Sequence, residues 1–194
     1  MPYSTFITHI QKKASLSKAD IELINSLVIP EKLKKGDFIS EQDEVSKYSS
    51  YVVSGCTKTF HTDSDGNTHV VSFAVEDWWA GDLASFITNS PADYSVQCLE
   101  DTQVLHLTEP IFDTLFEQTE GFERFFRKLI QSAYVHAQKR IVNNFSLTAK
   151  EHYLLFQKQY PQIEQRVPQY LVASYLGITK EFLSKIRKEI AYER

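Results

Sequence analysis

The sequence predicts an α+β chain: a β-roll or jelly roll, then one long helix, then a small all-α unit that ends in a helix-turn-helix. Three observations carry this reading. Residues 33–107 hold short runs of β-formers broken by turn residues, with glycines at 36, 55, 66 and 81. Residues 121–144 contain no proline and no interior glycine, and apolar side chains recur there at three- and four-residue steps. Residues 167–188 space a small residue, a glycine, a capping threonine and an apolar seam as a helix-turn-helix requires. The expected division is 1–120 for the roll, 121–144 for the long helix and 145–194 for the helix-turn-helix unit.

Taken in order, Ser17-Lys18-Ala19-Asp20 precedes Ile21, Leu23, Ile24 and Leu27, which reads as a capped short helix ending before Pro30. Strands are expected at Tyr51–Val53, Cys56–Phe60, Val70–Ala74 and Val104–Leu107. Asp63-Ser64-Asp65-Gly66-Asn67 is a hairpin turn. A two-residue Asp65-Gly66 turn would put His61 and His69 on opposite sheet faces. The helix from Gly121 to Asn144 is about twice the average helix length of about 12 residues. Its stripe is either a dimer seam or a spine packed on its own domain. The seam is favoured, through Phe122, Phe126, Leu129, Ala133, Ala137 and Ile141, with the two alanines letting backbones approach. Leu129→Asp is then expected to dissociate the dimer. Thr148-Ala149-Lys150-Glu151 is a capping box opening a helix toward Tyr160, which Pro161 stops, so the joint lies near Phe145-Ser146-Leu147.

In the C-terminal unit, Pro168 suits a first helical turn, Ala173 permits a close helix crossing, and Gly177 supplies the turn. Thr179 can cap the second helix. Leu171, Val172, Leu176, Ile178, Leu183 and Ile186 form the seam, leaving Lys180, Ser184, Lys185, Arg187 and Lys188 outside.

Composition narrows the function classes. The net charge is −4, but residues 150–194 hold eight Lys/Arg and five Asp/Glu, or +3, so residues 1–149 carry −7. Basic side chains gather at the helix-turn-helix, as a DNA reader needs. No run approaches the roughly 20 apolar residues of a membrane span. The N-terminus, Met1 to Phe6, lacks a signal-peptide layout. Two cysteines, Cys56 and Cys98, make no disulfide framework and are expected to be inert buried thiols. A cytoplasmic protein is expected, without cofactor, metal site or membrane partner. A cupin-like enzyme would need clustered histidines, and no His-x-His pair exists. No nucleophile motif or P-loop is evident, so the expectation is a non-enzyme.

The order of roll, long helix and helix-turn-helix resembles the Crp/Fnr family of bacterial transcription regulators along the whole chain. Leu33–Ile39, Val52–Cys56, Asp65-Gly66 and Gly81-Asp82-Leu83 look like the family's strand-and-turn landmarks. Ser72-Phe73-Ala74, Trp78-Trp79 and the 167–187 reader look most like its short Bacteroidetes-type members. The resemblance implies a cyclic-nucleotide-binding-like roll and a homodimer that senses a small-molecule effector and binds double-stranded promoter DNA. RNA polymerase is a further implied partner. Positions matching the family's base readers are Lys180, Glu181 and Lys185, with Ser184 on the same side and Thr179 at the helix start. Arg187, Lys188, Gln169 and Tyr170 are expected at phosphates.

Two departures matter. Gly81-Asp82-Leu83 stands for the family's Gly-Glu-Leu, but Pro91-Ala92-Asp93-Tyr94-Ser95 follows without the family's arginine. Lys58 is the only Lys or Arg between Lys47 and Arg124. A buried phosphate without a cation is costly, so ordinary cyclic AMP binding is not expected. Gly81, Asp82, Leu83, Tyr94 and Ser95 are instead candidates for an effector pocket of other chemistry. Trp78, Trp79, Phe86 and Tyr94 are either its aromatic walls or plain core packing. The sequence also ends at Arg194, soon after the recognition helix, so later family elements are expected to be absent. The competing reading is a ligand-binding or protein-interaction module that does not bind DNA specifically.

Overall fold

The computed structural model describes residues 2–193; Met1 and Arg194, the two ends of the sequence reading, lie outside them. Helices α1 (Pro2–Gln11) and α2 (Lys18–Leu27) lead into β1 (Ile29–Leu33), β2 (Phe38–Ser40), β3 (Ser49–Ser54), β4 (Thr57–Thr62), β5 (Thr68–Ala74) and β6 (Trp79–Ala80). A short α3 (Leu83–Thr88) precedes β7 (Ser95–Cys98) and β8 (Thr102–Leu107). Then come α4 (Glu109–Gln118), α5 (Glu120–Ser146), α6 (Ala149–Gln159), α7 (Pro161–Arg166), α8 (Gln169–Tyr175) and α9 (Lys180–Tyr192).

The strands form two antiparallel four-stranded sheets, ordered β1-β8-β3-β6 and β2-β7-β4-β5. Val52, Ala74, Ala80, Val96 and Val104 fill the space between them. Pro30 sits within β1, and β1 is an edge strand paired only with β8, so its missing N–H breaks no ladder. The β4–β5 hairpin corrects the expected two-residue turn. Thr62 pairs with Thr68, so five residues span the loop, and His61 faces His69 directly across the ladder. Directly opposed residues share a face, which reverses the expected placement. The longer loop is held by Asp63, whose carboxylate accepts from the amides of Asp65 and Asn67 and contacts His69 Nε2 at 2.9 Å. Those contacts, His69 first, hold its pKa down to about 2.

One core binds α1, α2, α4 and the start of α5 onto the β3–β8 face. Phe6, Ile10, Tyr51, Leu105, Phe122 and Phe125 are fully buried in it. A side chain of this size contributes about 1.5–3 kcal/mol on burial. The predicted capping box of α2 is present, with Ser17 Oγ accepting from Asp20 N and Asp20 accepting from Ser17 N. Helix α1 had no sequence expectation, because Phe6, Ile7 and Ile10 mark an apolar face only once Tyr51 and Phe125 are beside them. Gly121 permits the close approach of the α1–α2 connection to α5. A Cβ there would lie 2.3 Å from the Ser15 carbonyl oxygen.

A second core joins roll and reader. Cys56, Phe60, Val70, Phe73 and Val75 of the roll pack with residues from α6 to α9, including Phe156, Val172 and Leu183. Pro161 does stop α6, and it then occupies the first turn of α7, where a missing N–H costs nothing.

Candidate functional site

The helix-turn-helix is built by α8, a short turn and α9. Ala173 is buried at the crossing, and its carbonyl accepts from Ile178 N at 3.0 Å. Gly177 stands at φ +68°, the left-handed region that costs a side-chain-bearing residue about 1–2 kcal/mol. Thr179 caps α9, its hydroxyl accepting from Phe182 N. With Leu183 and Ile186 buried, α9 leaves Lys180, Glu181, Ser184, Lys185, Arg187 and Lys188 exposed. No ion pair among the described residues engages Lys180, Lys185, Arg187 or Lys188, whereas nearby Lys150 is tied to Glu193 at 2.6 Å. Tyr170 is exposed at the start of α8, and Gln169 is half-buried with its Oε1 unpartnered. Thr179's hydroxyl is occupied by the cap. Arg187 reaches back to Tyr153, whose hydroxyl burial pushes up to about 12, helped by Glu164 and opposed by Arg187. The sequence reading missed Phe182, which is 46% exposed between Glu181 and Leu183. Spacing alone did not reveal its exposure, because position 182 lies four residues before Ile186, on the shoulder of the buried seam.

The reader is fastened to the roll at three points. Arg166, ending α7, donates to Glu76 (2.7 and 3.1 Å) and to Glu100 (2.8 and 3.1 Å). Ser174 of α8 accepts from Val70 N and donates to Thr68 O, continuing the edge of β5. Arg140 of α5 donates to the Val71 carbonyl and lies over the Tyr175 ring, 4.4 Å from its centroid. None of these residues was singled out from sequence, because their hydrogen-bond partners lie 66 to 106 positions away.

Helix α5 is two helices in one. Its first turns are buried, while residues 131–139 are exposed on every side. Phe122 is 0% exposed, so it cannot contribute to a seam, and Phe126 and Leu129 are half-buried against the same core. This corrects the expected seam: the aromatic stripe is the spine of the chain's own domain. Ala133, Ala137 and Ile141 remain exposed. Tyr134 (64% exposed), Val135, Val142 and Phe145 (88%) join them on the free half.

Between the roll and α5 lies a cleft of about 610 Å³. Gly81, Asp82 and Leu83 line it with Trp78, Trp79, Phe86, Phe126 and Leu129. Tyr94 and Ser95 do not. The Tyr94 ring packs edge-on to His61, and Ser95 Oγ accepts from Gln42 N. The structure therefore separates the expected pocket residues into two groups. In the cassette itself, buried Asp82 caps α3. One oxygen accepts from Ser85 N at 3.0 Å and the other from Asp93 N at 2.9 Å. Lys58 lies with its ammonium over Phe60, 4.1 Å from the ring centroid. Ala92, in the segment where the sequence reading looked for an arginine, is buried. A carboxylate already holding two cassette amides, with no ion pair to it among the described residues, does not fit a cyclic phosphate.

Residues 30–119 match the cyclic nucleotide-binding domain family. Over nearly the whole chain the architecture is shared with FixK2 from Bradyrhizobium japonicum, at 15% identity and a TM-score of 0.72, covering 86% of each chain. A CooA mutant from Carboxydothermus hydrogenoformans matches at 12% identity and TM-score 0.72, covering 89% of this chain and 79% of that one. The chain shares the fold of these structures. A third structure, the c-di-GMP responsive global regulator CLP from Xanthomonas campestris, matches at 13% identity and TM-score 0.65, covering 91% of this chain and 93% of that one. No protein of curated function matches the chain in sequence. Among the described residues no helix is long and apolar enough to cross a membrane.

The two thiols of the roll are both buried and free. Burial pushes Cys56 up to about 12 and raises Cys98 as well, so both favour the unreactive protonated form.

Proposed function

We propose that this chain is a homodimeric transcription regulator that reads promoter DNA with α9, under the control of a small-molecule effector held by the roll. The observation that carries the reading is α9 itself: one face is locked into the reader's core by Leu183 and Ile186, and the other presents unpaired cations beside Glu181. Lys185 and Lys180 are assigned to guanine edges, Glu181 to cytosine N4, and Phe182 to a thymine methyl. Ser184 supports them. Lys188, Gln169 and Tyr170 are assigned to phosphates, with Arg187 shared between phosphate and Tyr153. The working division is a sensor over 1–120, a linking helix and a reader over 145–194.

Two readers dock on one operator only as a pair, about 34 Å apart. The exposed rows of α5 support the pairing. Tyr134, Gln138, Ile141 and Phe145 step by four, three and four residues, and Val135 and Val142 are seven apart, the spacing of a coiled-coil seam. Apolar groups this exposed on an isolated helix need a partner, and an identical helix supplies a matching seam. The roll is assigned no cyclic AMP, because Asp82 already occupies the cassette amides.

Selection from random duplexes tests the reading. An enriched palindrome is expected, and Lys185→Ala should cost about 1–3 kcal/mol and relax one position of it. No enriched palindrome, with Lys185→Ala indifferent, would leave the interaction-module reading in its place.

A further inference from the structure

The reader carries an apolar side chain at the place where base edges are met. In a helix-turn-helix the first residues of the second helix reach the floor of the major groove. Phe182 is the third residue of α9 and is 46% exposed, while Leu183 and Ile186 are 1% and 2% exposed in the seam. Its amide donates to the capping hydroxyl of Thr179 at 3.2 Å, so the turn that presents the ring is fixed. Single exposed apolar residues are ordinary on protein surfaces and by themselves mean nothing. What distinguishes this one is its neighbours.

Glu181 precedes it, exposed and without a hydrogen bond or ion pair among the described residues. Lys185 stands one turn further along, also exposed. Lys18 pairs with Glu22 and Glu123 with Arg127 at this same four-residue spacing, whereas Glu181 and Lys185 do not pair. The start of α9 therefore offers an uncommitted acceptor, an apolar ring and, one turn on, an uncommitted donor.

The base edges supply the complement. Cytosine presents its N4 amino group as a donor, thymine presents O4 as an acceptor, and the apolar group of the major groove is the methyl on thymine C5. When cytosine is methylated at C5, one base carries both the N4 donor and the methyl, on adjacent ring carbons. Glu181 and Phe182, with Cα atoms about 3.8 Å apart, match that pair of groups.

We propose that α9 reads 5-methylcytosine, binding its operator more tightly when the cytosine met by Glu181 carries the methyl group. Glu181 accepts from N4, the Phe182 ring covers the methyl, and Lys185 donates to a guanine of an adjacent pair. The methyl is the same group in thymine and in 5-methylcytosine. Glu181 decides which base carries it, because thymine turns O4 toward the carboxylate. Unmethylated cytosine satisfies Glu181 but leaves the ring uncovered. Operator occupancy then depends on the covalent state of the DNA as well as on its sequence. This inference rests on reading the chain as a DNA-binding regulator.

The palindrome returned by selection with the full chain is synthesised with cytosine, 5-methylcytosine or thymine at each cytosine position of the half-site. Affinities are compared by competition at one fixed salt concentration. At one position 5-methylcytosine should bind about fourfold tighter than cytosine per half-site, the gain from burying one methyl group (~0.8 kcal/mol), and thymine more weakly than either. Phe182→Ala should keep the affinity for the cytosine operator and lose the gain from methylation, while Phe182→Leu, still apolar, should keep most of that gain. Glu181→Ala should remove the preference for cytosine over thymine at that same position. Equal or weaker binding of the methylated operator at every cytosine, a gain that survives in Phe182→Ala, or a gain at a cytosine to which Glu181→Ala is indifferent would each overturn the proposal and leave the regulator standing. A selection that returns no operator sinks both, and does so before any methylated duplex is tested.

Discussion

Replacing Arg166 by methionine isolates the clamp between reader and roll. The guanidinium makes four hydrogen bonds to Glu76 and Glu100, and its side chain is 26% exposed against 41% and 36% for the two glutamates. Fully exposed ion pairs contribute about 0.2–1 kcal/mol, and breaking a buried pair costs about 3–5 kcal/mol. Two bidentate contacts with this much solvent screening fall between, so Arg166→Met should cost about 2–3 kcal/mol. For a chain of this size that is a melting shift of about 4–12 °C. The pH dependence has a definite sign. Burial pushes the Glu76 carboxyl up, but hydrogen bonds from Arg166 and from the amides of Glu76 and Gly55 outweigh it and hold the group below its ordinary range. A depressed carboxyl contributes stability above its unfolded value, about 4.3, and loses it as pH falls through the folded value. The gap between wild type and variant should therefore be full at neutral pH and close in acid. Denaturation at the two pH values measures it. Hydrogen exchange at the Val70 amide, which donates to Ser174 across the interface, reports docking separately. A variant with unchanged melting at neutral pH, or a gap of equal size in acid, refutes the reasoning.

Buried His106 contacts Ser50 Oγ at 2.8 Å and Glu31 at 2.7 Å, and burial lowers its pKa although Glu31 opposes this. A lowered histidine binds fewer protons folded than unfolded, so stability should fall as pH drops below about 6.5. His106→Gln should lose about 1–3 kcal/mol at pH above 7 but show a shallower fall, as thermal melts across that range will record. Ile141→Asp, on the free half of α5, should yield a folded monomer by sedimentation and abolish operator binding; a stable dimer in this variant would remove α5 as the seam. Leu129→Asp is the poorer test, since Leu129 packs on the chain's own core and its loss also weakens the fold. Cyclic AMP at millimolar concentration should leave the melting temperature unchanged. Saturation at 100 times a dissociation constant would add about 2.7 kcal/mol, easily seen in a melt.

Local signals account for what was legible. Ser17 with Asp20, Thr148 with Glu151, and Ala173–Gly177–Thr179 are each complete within a few residues, so the caps and the helix-turn-helix follow from spacing alone. The absent cassette arginine is equally local. Asp63 shows where local reading stops: the Asp-Gly pair suggested a two-residue turn, but a side chain three positions before the glycine reorganised the loop and flipped the face of a histidine. The α5 stripe was ambiguous for a different reason. A periodic apolar face records that something covers it, not whether the cover is the same chain or a copy. The roll and α4 claim the face at Phe122, Phe125 and Phe126, which leaves Tyr134 to Phe145 as the half without a cover.

Tertiary structure alone decided the remaining points, because each depends on groups far apart in sequence. Arg166 meets Glu76 and Glu100 across 90 and 66 positions, and Ser174 completes the edge of β5 across more than 100. From sequence Asp82 is a candidate effector-pocket residue. Folding made it the cap of α3 and the acceptor for Asp93 N, because desolvating a carboxylate requires donors and the cassette amides were the nearest ones. The sequence by itself determined the order of roll, long helix and basic helix-turn-helix, together with the caps that are complete within a few residues. The packing of distant segments determined which faces were used up and which, in the cleft and on α5, were left open to a partner.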